Sequence, residues 1–569
     1  MKQEAHSQTL TAGGALLARL KTIGVDYIFA NSGTDFPPII EGLAEAAARN
    51  IPLPQALVMP HEGAAMAMAH GYYLATGRSQ AVMAHTNVGL ANCAIGTINA
   101  AVENIPILLF SGRTPVTESG RFGARTVPIG WGQEMRDQTA LVREASKWDY
   151  ELRFPEQVGA MADRAHAIAN STPKGPVYVS LPREVLCEPY PADDLGTAPT
   201  MQPARIGADR RQMADLAERI AKARFPVIFA QHGVGSAEAF AALATLTESW
   251  AIPVCQYWAV QLALATDHPM HAGGDPSWLL EQADLVIVLD SLAPWSQQLH
   301  VAQEDALVVQ IGPDPLKARV PIRNFRSDIS IVSELSDAIL ALVEALDGQS
   351  VNPAVDVRRA AIMARNGQMR AAALARAEAG RDGVMSADYV AKIVSDAIAG
   401  QNAILLSERG CPLPAMTLGH HQAWYQEPHA GGLGWSFPAS LGMQLANRDR
   451  LVVATMGDGS YMFANPVACH QIGEALALPV LVIVMNNAEW AAVRHSVLDI
   501  YPDGYAAKTN QMPLTGLSPS PDFVQVAKAS RAFARKVNDA EELDAALAEA
   551  LAHIADKRTL ALLDVTMRN

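Results

Sequence analysis

The 569-residue sequence predicts an α/β protein of three doubly wound parallel-sheet domains. Two observations carry this expectation. The chain is too long for one hydrophobic core, since domains usually hold about 100–200 residues. Short apolar strands alternate with helical stretches, and this rhythm recurs in three blocks separated by segments without periodicity. Half the residues are apolar, 18% are charged and 6% aromatic, a composition that fills several packed cores and is not that of a disordered chain.

The first block runs from about residue 10 to 185, with strands at DYIFA, AVMAH, PILLFSG and PVYVSLP, and defines a domain over 1–187. The stretch EPYPADDLGTAPTMQPARIG is rich in Pro, Asp, Gly and Thr, so a linker is expected around 188–207. A second domain over 205–348 carries strands at FPVIFA, IPVCQYW, ADLVIVLD and ALVVQIG. Residues 349–380 are Ala- and Arg-rich with a helix-like pattern, and the turn AGRDG leads into a third domain over 385–569. Its strands are AILLSE, LVVATMGDGS, PVLVIVMNN and TLALLDV. Three similar α/β units hint at old duplication, although no short-period repeat is present.

A net charge of −14 argues against nucleic acid or an anionic membrane as partner, because both require clustered Lys and Arg. The N-terminal MKQEAHSQTLTAGG lacks the charged-then-apolar pattern of a signal peptide, and runs such as PVLVIVM fall far short of the roughly 20 residues that span a bilayer. Cys93, Cys187, Cys255, Cys411 and Cys469 are scattered and free of CxxC spacing, which fits reduced thiols and a cytoplasmic location rather than zinc or a catalytic thiol.

The most informative segment is LVVATMGDGSYMFANPVACHQIGEALALPVLVIVMNNAEW: strand, Gly-Asp-Gly-Ser turn, helix, strand, Asn-Asn. Adjacent parallel strands end at one sheet edge, so Asp458 and Asn486–Asn487 should arrive side by side. A carboxylate, an amide oxygen and backbone carbonyls are the hard ligands Mg²⁺ prefers, and Gly457 and Gly459 let backbone approach a diphosphate. Alone, GDGS is an ordinary tight turn. In this context the block resembles the diphosphate- and metal-binding motif of the thiamine-diphosphate-dependent decarboxylase and acetolactate synthase family. The resemblance implies metal ligation by Asp458, Asn487 and the backbone oxygen of Glu489, with Ser460 beside the diphosphate. The 29 positions from Asp458 to Asn487 exceed the family spacing by about two, an excess expected to lengthen the helix or its start.

Upstream, GHHQAW (419–424) looks like the acetolactate synthase pattern GQHQMW, which implies that His421 and Gln422 reach diphosphate oxygens. In GGLGWSFPASLG, Gly432 and Leu433 match the loop whose bulky residue props the cofactor into its bent form. The first domain carries MPHEGAAMAMAHGYYLATGR, with Glu62 at the start of an Ala-rich helix; in the family this Glu contacts the aminopyrimidine ring, and desolvation suits a shared proton. His85, at the exit of the AVMAH strand, resembles the active-site histidine of benzoylformate decarboxylase and has the ordinary pKa of a proton carrier. In NSGTDFPP, Thr34 stands where that enzyme has a substrate-facing Ser, and either binds the substrate carboxylate or caps the turn. WGQEMRDQ resembles the FQE segment of acetolactate synthases, making Gln133 a substrate or cofactor-ring contact.

Together these features imply non-oxidative decarboxylation of a 2-oxo acid through ylid and enamine chemistry, with carboligation to an aldehyde or ketone acceptor as a side activity or the true function. The family places each active site between two subunits, implying a homodimer or homotetramer. In the central domain FAQHGVGSAEA is a weak nucleotide signal, because GxG turns occur in many βα units. FAD or a CoA-type nucleotide stays open beside a degenerate structural domain. LDSLAPWSQQLH directs Trp295 or Gln297 toward the substrate on one reading, and 494–520 is long and Pro/Gly-rich enough to form a cover over the site. Three rival functions remain: an FAD-requiring carboligase, a thiamine-dependent C–C hydrolase and a non-catalytic cofactor-binding subunit, the last opposed by Glu62 and His85.

Overall fold

Three parallel sheets organise the computed structural model, which describes residues 9–191 and 197–567. The first lies, in spatial order, as Gln55–Val58, Tyr27–Ala30, Ala81–Ala84, Leu108–Arg113, Val177–Pro182 and Trp148–Glu151. The central sheet is Val254–Cys255, Pro226–Ala230, Leu285–Leu289, Leu307–Gly312 and Ile329–Val332. The third is Trp424–Gln426, Ile404–Glu408, Val452–Gly457, Val480–Asn486, Ala561–Thr566 and Phe533–Val537. Numbered in chain order within each sheet, the strands lie 2-1-3-4-6-5 in the first and third and 2-1-3-4-5 in the central one. All three orders reverse direction between strands 1 and 3, and the crevice outside the carboxyl ends at such a point is where α/β sheets bind ligands. The shared order agrees with the repetition expected from the sequence.

Interior strands such as VLVIVMN are buried along almost their full length, as parallel strands covered on both faces must be. Five further strands, Gln55–Val58, Trp148–Glu151, Ile329–Val332, Trp424–Gln426 and Phe533–Val537, lie outside the apolar runs of the sequence. All five are edge strands, and the burial of four of them is broken or partial.

By contact the chain divides into two units. One holds residues up to 204 with 428–448 and 464–478; the other holds 205–427, 449–463 and 479–569. This grouping differs from the 1–187 and 385–569 division for a local reason. In the first unit the helix Ser436–Ala446 crosses Glu62–Thr76 so closely that a Cβ on Gly71 would stand 1.9 Å from the Ala439 carbonyl oxygen, and one on Gly442 2.0 Å from that of Met68. Only glycine admits that approach.

The 349–380 segment forms the helix Val355–Ala379. Within the expected linker, Pro189–Pro191 pairs antiparallel with Thr9–Thr11, while 192–196 lie outside the described residues. After Asp458 the chain forms two helices, Asp458–Phe463 and Pro466–Ala475, parted at Asn465 with φ 54°. No described helix is long and apolar enough to cross a membrane.

Candidate active site

In the first unit, strands 1 and 3 of the sheet deliver Thr34–Asp35 and His85 to the same reversal point. His85 Nδ1 makes a short hydrogen bond to Asp35 Oδ1, and its Nε2 lies 3.1 Å from the Gln133 amide nitrogen. The bond to Asp35 lifts the imidazole above its ordinary pKa against the opposing effect of burial, and the carboxylates of Asp35 and Glu62 add to the lift. Thr34 is exposed and lines the adjoining cleft, with its carbonyl accepting from Arg183 Nη1 at 3.1 Å.

Glu62 is 6% exposed at the first position of its helix. Its Oε2 accepts from Asn92 Nδ2 at 3.0 Å, and a Cβ on Gly89 would come within 2.8 Å of Oε1, so glycine leaves that oxygen room. Asn92 belongs to the helix Thr86–Val102, which also holds Asn99. Asn99 clasps the backbone of Gly432 from both sides, accepting from its N–H at 3.2 Å and donating to its carbonyl at 2.9 Å, which fixes the loop carrying half-buried Leu433.

In the second unit, Val452–Gly457 pairs in parallel with Val480–Asn486, and Asp458 follows the first as Asn487 follows the second. Asp458 Oδ2 is buried without a hydrogen-bond partner. Burial pushes its carboxyl up to about 6, even though the N–H groups of Gly459 and Ala488 act the other way. Asn487 Oδ1 accepts from the Glu489 N–H at 3.1 Å, while the Glu489 carboxylate turns to Thr515 Oγ1 at 2.6 Å and Arg494 Nη1 at 3.3 Å. A partnerless buried carboxylate oxygen, an amide oxygen and a backbone carbonyl make a donor set that fits a divalent cation. Ser460, two residues on from Asp458, is buried. Gly459 serves packing as well: a Cβ there would meet the Trp490 ring at 2.2 Å. Gly457 is less confined, with the Arg409 carbonyl oxygen 3.9 Å from where its Cβ would stand.

His421 and Gln422 are not brought to this edge. The loop holding them precedes Trp424–Gln426, and neighbouring His420 faces the Ala403 carbonyl, just ahead of the strand Ile404–Glu408. Gln422 accepts from Arg450 Nη1 at 2.8 Å, ahead of Val452, and His421 sits against Phe240. Both therefore lie at the amino end of the parallel sheet, opposite Asp458. The loop after Ile404–Glu408 takes the expected place instead: Cys411 N donates to Thr455 Oγ1 at 3.1 Å, and a Cβ on Gly410 would meet Thr455 at 2.4 Å. Burial pushes the Cys411 thiol up to about 12, so it is no nucleophile.

Outside the central strand ends, Lys317 pairs with Asp290 at 2.5 Å, Arg323 donates to the Ser291 and Leu292 carbonyls, and Gln231 donates to the Tyr257 and Ala293 carbonyls. These side chains are engaged with one another or with backbone carbonyls of the central domain. Trp295 packs between Phe229 and Phe325, and Gln297 donates to the Asn324 carbonyl, so both are committed to the central domain. The segment expected to cover the site forms the exposed helices Ala491–Ile500 and Tyr505–Thr509 and is tied back through Thr515 to Glu489.

The first unit thus presents a buried carboxylate at a helix start and a carboxylate-bound histidine at a strand reversal, and the second a Gly-Asp-Gly turn with a partnerless carboxylate oxygen. Among family models, residues 10–141 match the thiamine pyrophosphate enzyme N-terminal TPP binding domain, 213–342 the central domain and 413–565 the C-terminal TPP binding domain. The chain belongs to the thiamine pyrophosphate enzyme family. It is 27% identical to the probable 2-ketoarginine decarboxylase AruI of Pseudomonas aeruginosa, over 94% of this chain and 91% of the relative. Benzoylformate decarboxylase of the same organism is also 27% identical, over 95% and 96%. The solved structure of the Rhodococcus jostii RHA1 thiamine diphosphate-dependent 4-hydroxybenzoylformate decarboxylase superposes with a TM-score of 0.79 at 22% identity, covering 98% of this chain and 99% of that one.

Asp35 and Asn92, which bond to His85 and Glu62, were not singled out from the sequence. Asp35 directly follows Thr34 in the loop already singled out, and Asn92 is one of three asparagines on its helix, with no local feature that sets it apart.

Proposed function

We propose that the protein is a thiamine-diphosphate- and Mg²⁺-dependent decarboxylase of a small-molecule 2-oxo acid, and the juxtaposition of His85 with Asp35 and Gln133 at the strand reversal is the observation that carries this reading. When bound, the cofactor supplies the electron sink that lets the carboxylate leave as CO₂. Asp458, Asn487 and the Glu489 carbonyl would hold the cation, and Gly457, Gly459 and Ser460 would lie beside the diphosphate. Glu62, buried and steadied by Asn92, would offer a carboxyl oxygen to the pyrimidine ring, and Gly432 and Leu433 would support the cofactor. His85 delivers a proton from Nε2 to the substrate-derived carbon, giving an aldehyde. Gln133 and the Thr34 loop line the substrate side.

Glu62 and Asp458 fall in different units of the chain, and the helix beside Glu62 exposes Val88, Ile95 and Ile98. An apolar stripe of this kind next to a catalytic group suits a second copy of the chain, so a homodimer is the working unit. The unpaired cysteines fit a reducing, cytoplasmic setting.

The test is CO₂ release from aliphatic, aromatic and guanidinium-bearing 2-oxo acids, with thiamine diphosphate and Mg²⁺ supplied or omitted. Release that requires both is expected from at least one acid; no release from any of them contradicts the proposal.

A further inference from the structure

We propose that Asp35 is the positioning residue of His85: its carboxylate accepts the Nδ1–H, orients the ring with Nε2 toward Gln133 and the cleft, and keeps Nε2 as the nitrogen that carries the transferable proton. The inference rests on the decarboxylase reading for the task His85 performs, and extends it to a residue that touches neither substrate nor cofactor.

Three independent features show a pair built to stay together. Asp35 is 5% exposed, yet its carboxylate is aimed at an imidazole on a different strand end. Glycine clears the space on both sides: a Cβ on Gly112 would fall 1.4 Å from Asp35 Oδ2, and a Cβ on Gly33 2.1 Å from His85 Nδ1. Thr86, next after His85, holds φ 34°, a conformation that is costly for a β-branched residue and persists only where its surroundings impose it. That turn points the Thr86 N–H at Asp35 Oδ2, 3.4 Å away, while His85 leaves the strand facing the same carboxylate.

The proton accounting closes. The charged ring donates from Nδ1 to Asp35 and from Nε2 into the cleft. After transfer the neutral ring keeps its Nδ1–H on Asp35, Nε2 accepts from the Gln133 amide, and a solvent proton restores the acid. The charged groups facing His85 are Asp35, on the loop after the first strand, and Glu62, at the head of its helix; both favour the protonated ring. Arg125 and Arg183 line the cleft beside Asp35, but their guanidinium groups are engaged with Glu134 and with the Gly123, Ala124 and Thr34 carbonyls.

The experiment follows the His85 ring directly, by NMR titration of the full-length protein labelled with ¹⁵N-histidine, with His85→Gln used for assignment. Wild type, Asp35→Asn and Gly112→Ala are compared, the last displacing the Asp35 carboxylate without removing a charge. Both variants are expected to titrate lower than wild type by about one pH unit or more, the scale of losing an adjacent opposite charge, and to lose the fixed Nδ1–H tautomer. In CO₂ release the alkaline limb of kcat should move to lower pH in both, with kcat reduced about 10- to 100-fold and KM nearly unchanged. An unaltered His85 titration in Asp35→Asn or, should that variant not fold, in Gly112→Ala overturns the proposal. Absence of CO₂ release from wild type on any acid overturns the decarboxylase reading instead, while the titration still decides whether Asp35 holds His85.

Discussion

At Asp458 a single oxygen decides what the third sheet can hold. A buried carboxylate oxygen without a partner is destabilising by itself, and an ion that ligates it returns that cost as binding energy. Mg²⁺ with thiamine diphosphate, supplied at about 100 times the Kd, should stabilise the wild type by roughly 2.7 kcal/mol and raise its Tm. Asp458→Ala should lose most of that rise in a thermal melt; an equal rise in both proteins would show that the ion binds elsewhere. Glu62, His85 and Asp458 could be singled out in the sequence because each stands in a short segment whose neighbours are mostly small or apolar, and Gln133 only because its charged segment resembles a family pattern. Asp35 was not, because its role depends on a strand 50 residues further on, and no local pattern announces a partner across a sheet. His421 misled for the converse reason: HHQAW carries suggestive side chains, but its loop precedes an edge strand and so opens at the wrong end of the sheet.

Among the elements, Ala12–Thr22 and Val158–Asn170 are locked by the Arg19–Asp163 ion pair, whose side chains are 4% and 0% exposed. Arg19 also donates to the Thr197 and Ala198 carbonyls, and Thr200 donates to Asp163, so the pair anchors the described part of the linker as well. Burial alone would raise the Asp163 carboxyl; hydrogen bonds from Arg19 and Thr200 hold it below the ordinary carboxylate value. The pair's contribution is therefore whole above about pH 4, the unfolded value, and is lost as pH falls through the lower folded one. Asp163→Ala, which strands a buried guanidinium, should cost about 3–5 kcal/mol in urea unfolding at pH 7; a loss under about 1 kcal/mol would mean that water reaches Arg19. The interior strands could be read from the sequence because burial on both faces demands an unbroken apolar run. Four of the five missed strands are partly exposed and carry mixed residues such as QALV, WDYE and FARKV, which periodicity alone does not separate from loop, and the fifth, Trp424–Gln426, is buried but only three residues long.

For the whole molecule, the repeated strand order means that the first and third sheets offer the same reversal point, one fitted with His85 and Asp35, the other with Asp458 and the loop after Ile404–Glu408. The sequence displayed three sheets through its three runs of strands. It did not display that 428–448 and 464–478 group with the first unit: the helix Ser436–Ala446 crosses Glu62–Thr76 at Gly71 and Gly442, and Pro466–Ala475 packs on that helix through His470 against Phe437. Substitution of Glu62 separates activation of thiamine diphosphate from its binding. CO₂ release by Glu62→Gln is to be measured beside wild type, on the best acid of the panel, with bound cofactor quantified in both. A fall of about 100-fold or more with cofactor still bound is expected; equal release by the two proteins would contradict the proposal that Glu62 activates the cofactor for cleavage of 2-oxo acids.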